Sequence, residues 1–421
     1  MHHFEYRDSV LHCEDISVSD IADRFGTPVY IYSSATLTRH YKVLADAFKD
    51  QPCLIAYAMK ANSNQAVLAT LAALGSGADV VSGGEMKRAM AAGIPANKIV
   101  FSGVAKSRTD ILDALEAGIH QFNVESLPEL HRISELANAN GYTADIAFRI
   151  NPHVEAGGHA NISTGGAEHK FGIAWHEGKD FYALAQSLPG INVCGVDVHI
   201  GSQITNLDPL HAAFEKVVGL VRDLREAGVP ITRMDLGGGL GIPYREGDEP
   251  ATPAEYAAMV REVLGDLDVE VILEPGRMIA GNAGIFVSRV EYIKERDGRR
   301  FAILDAGMND LMRPALYQAV HEMKPVVRSE ERATLDYDIV GPICESTDRF
   351  AKNYPAQEMK EGDLVAFMSA GAYGAVMSNQ YNTRPMCAEV LVNGDKVALI
   401  RTPPTFEEMI ASETVPEWLK T

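Results

Sequence analysis

CLIAYAMKAN, residues 53–62, places a lysine directly after an apolar run from Cys53 to Met59 and just before a helix-like stretch. A run of that length reads as a buried strand, and a lysine at its carboxyl end carries an amine into whatever cavity the strands share. A single lysine is ordinarily a solvated surface charge, so Lys60 acquires meaning only from what surrounds it. Seven further runs of the same kind follow it: ADVVSGGE from Ala78, KIVFSGVAK from Lys98, QFNVES from Gln121, DIAFRINP from Asp145, VCGVDVHIGS from Val193, RMDLGGGLG from Arg233 and EVILEPGR from Glu270. Helical periodicity fills the intervals, as with Val67, Leu68, Leu71 and Leu74 before Gly75, and Leu127, Leu130, Ile133 and Leu136 before Gly141. Ser126-Leu127-Pro128-Glu129 and Thr252-Pro253-Ala254-Glu255 read as capping boxes with proline in the first turn. Eight such strand-helix units in series predict a closed parallel β/α barrel of the TIM type.

Beyond Gly284 the pattern changes to alternating runs. GIFVSRVEYIK, RRFAILDAG, TLDYDIVGPIC, DLVAFMSAGAY, AEVLVNG and KVALIR predict a mostly antiparallel β domain. The expected organisation is an N-terminal segment 1–33, with VYIYS from Val29 able to pair with that β domain, a barrel over 34–283, and a β domain over 284–421. A helix with Leu37, Tyr41, Leu44 and Phe48 on one face leads into the barrel.

Composition sets the outer limits. With 421 residues and 46% apolar content, the chain can bury a large core. The net charge of -19 disfavours a nucleic-acid or anionic-membrane surface. No apolar run is long enough to span a bilayer, and MHHFEYRD lacks the apolar core of an export signal. Five scattered cysteines without a CxxC pair suit reduced thiols in a cytoplasm and argue against a zinc site.

A barrel places its active site at the carboxyl ends of its strands, and the unusual residues of this chain fall there. Lys60 ends the first run, Ser82 to Glu85 follow the second, Arg149 and Asn151 end the fifth, and His199 and Ser202 end the sixth. Gly237, Gly238 and Gly239 end the seventh, and Glu274, Gly276 and Arg277 end the eighth. A core histidine with a single hydrogen bond is the plain alternative for His199, and a tight turn is the plain alternative for the glycines. Loops after the last two strands of barrels often hold phosphate, which glycines let approach the backbone closely. A rim lysine, the carboxylate of Glu274 and a phosphate cradle together fit pyridoxal 5'-phosphate, whose aldehyde is held by lysine and whose ring nitrogen needs an acidic partner.

The ordered set YAMKAN (57–62), HIGSQ (199–203), GGGLG (237–241), EPGR (274–277) and CES (344–346) resembles the barrel-type pyridoxal-phosphate decarboxylases, and within them the diaminopimelate decarboxylases. ISTG (162–165), HKFGI (169–173), RPALY (313–317) and SAGAYG (369–374) are similar to the same family. The resemblance covers nearly the whole chain and implies decarboxylation of meso-2,6-diaminopimelate to L-lysine and carbon dioxide, the last step of lysine biosynthesis. It further implies Lys60 as the lysine that binds the cofactor aldehyde and Glu274 as partner to the ring nitrogen. His199 is then expected against the ring face, with Ser202, Gly238, Gly239, Gly276, Arg277 and Tyr373 contributing to the cofactor site. Arg277, Arg313, Tyr317 and Tyr373 are implied on the substrate side. Cys344, as proton donor, and Glu345, facing a substrate ammonium, are expected to enter from a neighbouring subunit of a head-to-tail homodimer with shared sites. For Cys344 the plain alternative is a small buried hydrophobe.

Neighbouring readings are a decarboxylase of D-ornithine, D-lysine or carboxynorspermidine, a barrel-type racemase, and a non-catalytic relative that only binds a partner. CES favours diaminopimelate among the decarboxylases, eight full βα units followed by the C-terminal CES segment fit a racemase poorly, and the presence of Lys60, Glu274 and Cys344 speaks against loss of activity. The Gly- and His-rich segment from Pro152 to Lys170 lacks an apolar period and is read as a lid over the site. His153, His159 and His169 lie there at irregular spacing and are read as solvated loop residues, with no metal expected. Met86 and Met90 are read as helix packing.

Overall fold

The computed structural model describes residues 2–154 and 170–420. The chain divides into two compact units, one formed by residues 36–281 and the other by 1–35 together with 282–421.

In the first unit all eight expected runs are strands: Cys53–Ala58, Gly77–Val80, Ile99–Phe101, Gln121–Val124, Ala144–Asn151, Ile191–Asp197, Arg233–Asp235 and Glu270–Leu273. Each pairs in parallel with the next, and the eighth pairs with the first through Leu273 and Ile55, so the sheet closes. A two-residue strand, Ile173–Ala174, pairs in parallel with the carboxyl end of the fifth. The interior packs Leu54, Ala56, Val100 and Ile272 into one buried cluster, while Phe148 faces outward against Tyr182 of a surrounding helix. Helices follow the strands because the sequence supplies both punctuation and a buried stripe. In the helix Leu127–Ala139, Leu130, Ile133 and Leu136 are buried as the periodicity predicts. The helix Pro253–Leu264 opens with the full capping box expected at Thr252 and Glu255.

The other expected capping box is only half formed. Ser126 accepts from the Glu129 N–H at 3.4 Å, but the Glu129 carboxylate does not return to Ser126. It accepts instead from Lys106 Nζ at 2.6 Å and from the Glu125 N–H at 3.0 Å. Lys106 is wholly buried, so an ion pair outweighs the local cap: leaving that ammonium without a counter-charge costs far more than one terminal hydrogen bond.

The second unit is built on a sheet with strand order 349–357, 334–340, 299–304, 284–296, 29–33, 388–393 and 396–401. Val29–Ser33 lies within it, antiparallel to 284–296 and parallel to 388–393. A second parallel pair joins 299–304 to 334–340, so the sheet is mixed while mostly antiparallel. Its core gathers Val29, Ile31, Ile285, Val287, Ala366, Val390 and Val392. The edge strand Arg349–Gln357 has a polar, exposed pattern and carries Pro355, which an edge tolerates because no ladder donor is needed there. Among the described residues no helix is long and apolar enough to cross a membrane. The lid expected between Pro152 and Lys170 falls almost entirely on 155–169, outside the described residues, as do His159 and His169.

Candidate active site

Lys60 occupies a single helical turn, Met59–Ala61, that begins as the first strand ends. Its Nζ lies 2.7 Å from Oδ2 of Asp79, a fully buried residue on the second strand. The lysine side chain itself is 38% exposed, so its amine is reachable from the mouth while its counter-ion is not. Asp79 belongs to a group of acids on the inner face of the barrel with Asp197, Asp235 and Glu274, all nearly inaccessible. Oδ1 of Asp79 and Oδ1 of Asp197 accept no hydrogen bond from the described residues.

Glu274 ends the eighth strand, where its N–H donates to Gly237 O at 2.8 Å. Its Oε1 accepts from Ser102 Oγ at 3.2 Å and from Asn123 Nδ2 at 3.4 Å, and Asn123 also donates to Asp235 at 3.0 Å. Burial, followed by repulsion from Asp235, Asp79 and Asp197, holds the Glu274 carboxyl well above the usual carboxylate range against the opposing pull of Lys60. Burial likewise pushes Asp235 up to about 6 despite hydrogen bonds from Asn123 and Gly237. Arg149, at the end of the fifth strand, is already engaged with Glu125 at 3.0 Å. Carboxylates therefore outnumber available cations in this mouth, and a positively charged ligand atom beside Glu274 would relieve it.

His199 follows the sixth strand. Its Nδ1 accepts from the Gly238 N–H at 3.2 Å, which leaves the ring proton on Nε2. Burial, then the charges of Arg149 and Lys60, hold the imidazole well below its ordinary range, so it is neutral at physiological pH. Gly238 permits this approach because a Cβ there would sit 2.3 Å from Glu274 O. Gly276 is similarly confined, with Ala61 Cβ at 3.0 Å and Ala58 Cβ at 3.2 Å from a built Cβ. These positions keep backbone near the mouth where any side chain would fill the space. Gly239, beside them, has φ of +112°, a conformation that favours glycine. Arg277 is nearly buried and donates to Ser202 Oγ at 3.0 Å and to Tyr244 OH at 2.5 Å.

The barrel unit thus gathers Lys60, His199, Ser202, Gly238, Gly239, Glu274, Gly276 and Arg277 at one set of strand ends. Asp79, Asp197, Asp235, Ser102, Asn123 and Tyr244 join them without having been expected. The three aspartates did leave a signal, each being an acid inside an apolar strand run.

The remaining expected residues belong to the β unit. Arg313 is nearly buried and donates to His321 Nε2 at 2.8 Å, while His321 Nδ1 donates to Met368 O at 2.8 Å. Tyr317 ends the same short helix, Arg313–Tyr317. Tyr373 is half-buried and left-handed, at φ of 57°. Cys344 is exposed, which excludes its plain reading as a buried hydrophobe. Glu345 is exposed as well, despite its apolar neighbours, and its carboxylate accepts from Tyr381 OH and from Thr347 Oγ1. Met86 packs as expected, but Met90 is 42% exposed. No cluster of metal-ligating side chains occurs among the described residues.

Residues 34–281 match the family model described as pyridoxal-dependent decarboxylase, pyridoxal binding domain. A diaminopimelate decarboxylase of Pseudomonas fluorescens is 49% identical over 98% of this chain and 99% of its own length. The crystal structure of diaminopimelate decarboxylase from Helicobacter pylori complexed with L-lysine is 39% identical, with a TM-score of 0.90 over 93% of this chain and 98% of that one. The enzyme of M. jannaschii in co-complex with L-lysine superimposes with a TM-score of 0.95 at 37% identity, over all of both chains. Both the barrel with its lysine and acid and the β unit with its CES segment lie inside these matches, so the chain belongs to the pyridoxal-dependent decarboxylases and, within them, to the diaminopimelate decarboxylase family.

Proposed function

We infer that this chain is a pyridoxal-phosphate-dependent carboxy-lyase that converts meso-2,6-diaminopimelate to L-lysine and carbon dioxide. The observation that carries this reading is the end-to-end likeness to enzymes of that one name, which spans the lysine and acid of the barrel as well as the CES segment of the β unit.

The residues present fit the cofactor. Lys60 offers a reachable amine, the acid-rich mouth suits a protonated ring nitrogen beside Glu274, and the space that a Cβ at Gly238 or Gly276 would fill suits a phosphate or ring edge. When bound, pyridoxal phosphate supplies an electron sink for the pair left behind as the carboxylate departs.

In this reading Lys60 Nζ would hold the aldehyde carbon, with Asp79 fixing the amine's direction. Glu274 would share a proton with the ring nitrogen, and His199, neutral and oriented by Gly238, would face the ring without adding charge. Ser202, Gly239, Gly276, Arg277 and Tyr373 would surround the phosphate side. Arg277, Arg313, Tyr317 and Tyr373 would orient the substrate, a planar guanidinium being suited to a carboxylate. Cys344 would deliver a proton to the carbon that lost its carboxylate, and Glu345 would receive the distal ammonium. A head-to-tail homodimer in which Cys344 and Glu345 serve the neighbouring subunit's site accompanies this reading.

The test is carbon dioxide release by purified protein loaded with pyridoxal phosphate. Strong preference for meso-diaminopimelate over D-ornithine, D-lysine, L-ornithine, L-arginine and carboxynorspermidine is expected. Preference for another of these would overturn the substrate and the roles given to Glu345 and the arginines.

A further inference from the structure

We propose that Tyr381 and Thr347 are positioning residues that hold Glu345 in place as a receptor for the substrate's distal ammonium, and so set the length of substrate accepted. The proposal rests on the reading of Glu345 given above and deepens it.

An exposed carboxylate on a loop is ordinarily mobile and solvated. Here each oxygen of Glu345 accepts a hydroxyl from a different partner, Oε1 from Tyr381 and Oε2 from Thr347 at 3.1 Å. Both donors are neutral, and no lysine, arginine or histidine forms an ion pair with Glu345 among the described residues. The carboxylate is therefore oriented while its charge stays uncompensated. Two hydroxyls occupy only part of its acceptor capacity of roughly four lone-pair sites, so an ammonium, with its three donors, can be taken up on the remainder. The Tyr381 phenol is raised by Glu345, through their hydrogen bond first and its charge second, so the hydroxyl keeps the proton it donates.

Both loops that meet at this point are anchored from below. On the Glu345 side, the buried carboxylate of Asp348 accepts from the Ile343 and Met308 N–H groups, each at 2.6 Å, and the Asp348 N–H donates to Glu345 O at 3.1 Å. On the Tyr381 side, the Asn379 N–H donates to Asn309 O at 3.0 Å, the Tyr381 N–H donates to Asn379 Oδ1 at 3.0 Å, and the Arg384 side chain donates to Asp305 O. Between these anchors Asn382 and Thr383 are both left-handed, at φ of 57° and 55°. For a β-branched threonine that conformation is strained, and it persists only where the surroundings over-determine it. What the strained turn achieves in this structure is to deliver the Tyr381 hydroxyl to Glu345.

The experiment compares L-lysine with 6-aminohexanoate, which keeps the same skeleton and ε-amine but lacks the α-ammonium corresponding to the distal end of meso-diaminopimelate, as competitive inhibitors of the holoenzyme. The ratio of their inhibition constants measures recognition of that ammonium, and a general loss of active protein leaves it unmoved. Glu345→Gln should collapse the ratio, and Tyr381→Phe and Thr347→Val should each lower it roughly tenfold to a hundredfold, the size expected for one lost hydrogen bond to a charged group. A collapsed ratio in Glu345→Gln with unchanged ratios in Tyr381→Phe and Thr347→Val overturns this proposal and leaves the role of Glu345 standing. An unchanged ratio in Glu345→Gln overturns that role, and the proposal with it. Should Tyr381→Phe melt before it can be assayed, Thr347→Val decides alone by the same criterion.

Discussion

Replacing Gly238 by alanine tests whether the turn after the seventh strand is fitted to the acid end of the eighth. A Cβ at Gly238 would lie 2.3 Å from Glu274 O and 3.2 Å from Glu274 C. Ordinary contact begins at roughly 3.4 Å, so the overlap is about 1 Å and falls on backbone, which no rotamer change relieves. Relief requires the two strand ends to separate, which strains the Glu274 N–H bond to Gly237 O and pulls the Gly238 N–H from His199 Nδ1. Overpacking costs about 1–3 kcal/mol and a lost hydrogen bond about 1 more, giving a destabilisation of about 2–4 kcal/mol. For a unit of this size that is a fall of roughly 5–10 °C in melting temperature. Thermal melting and equilibrium binding of pyridoxal phosphate are the assays, with Gly219→Ala as control, since a Cβ there meets nothing within 4 Å on its helix. Gly238→Ala should lower the melting temperature and weaken cofactor binding at least about tenfold, while Gly219→Ala should be neutral or stabilising by up to about 1 kcal/mol. A Gly238→Ala protein that melts within about 1 °C of wild type and binds the cofactor normally would refute the steric reasoning.

Three other expectations come from groups of different kinds. Lys106→Met strands the buried Glu129 carboxylate without its counter-charge and should cost about 3–5 kcal/mol in urea denaturation; a loss below about 1 kcal/mol would show that the pair contributes little. Asp235, pushed up to about 6 in the folded chain, binds its proton more tightly folded than unfolded. Its favourable contribution is complete below the ordinary carboxylate range and is lost as pH rises through about 6. The melting temperature of Asp235→Asn relative to wild type should therefore increase between pH 5 and pH 7.5, and a constant difference would contradict that assignment. Cys344 is the exposed thiol, Cys53 is half-buried, and Cys13, Cys194 and Cys387 are buried; native labelling should show one fast phase that Cys344→Ala removes, and its survival in that variant would place the reactive thiol elsewhere.

The barrel was legible because eight short β-branched runs end in glycine or charge, and buried parallel strands need no alternation to be recognised. That Val29–Ser33 could pair with the β domain was legible from its β-branched and aromatic run, but its two partners, 284–296 and 388–393, are set by pairings distant in sequence. Arg349–Gln357 was not, since an exposed edge strand with proline imposes little apolar pattern. Glu129 looked like a capping residue because its spacing from Ser126 is local, whereas its actual partner, Lys106, is distant in sequence. The same limit hid Asp79, Asp197 and Asp235: their runs were read for strand character, and only the closed barrel brings the acids together. Apolar neighbours left burial as the plain alternative for Cys344; in the structure the side chain of Asp348 satisfies the loop's inward N–H groups, and Cys344 and Glu345 are exposed.

The most direct test of the central claim is reduction of the cofactor-loaded protein with borohydride, followed by peptide mapping. The account predicts a phosphopyridoxyl group on Lys60, absent from Lys60→Ala, with meso-diaminopimelate decarboxylation lost in the same variant. Modification of a different lysine, or full decarboxylation by Lys60→Ala, would contradict it.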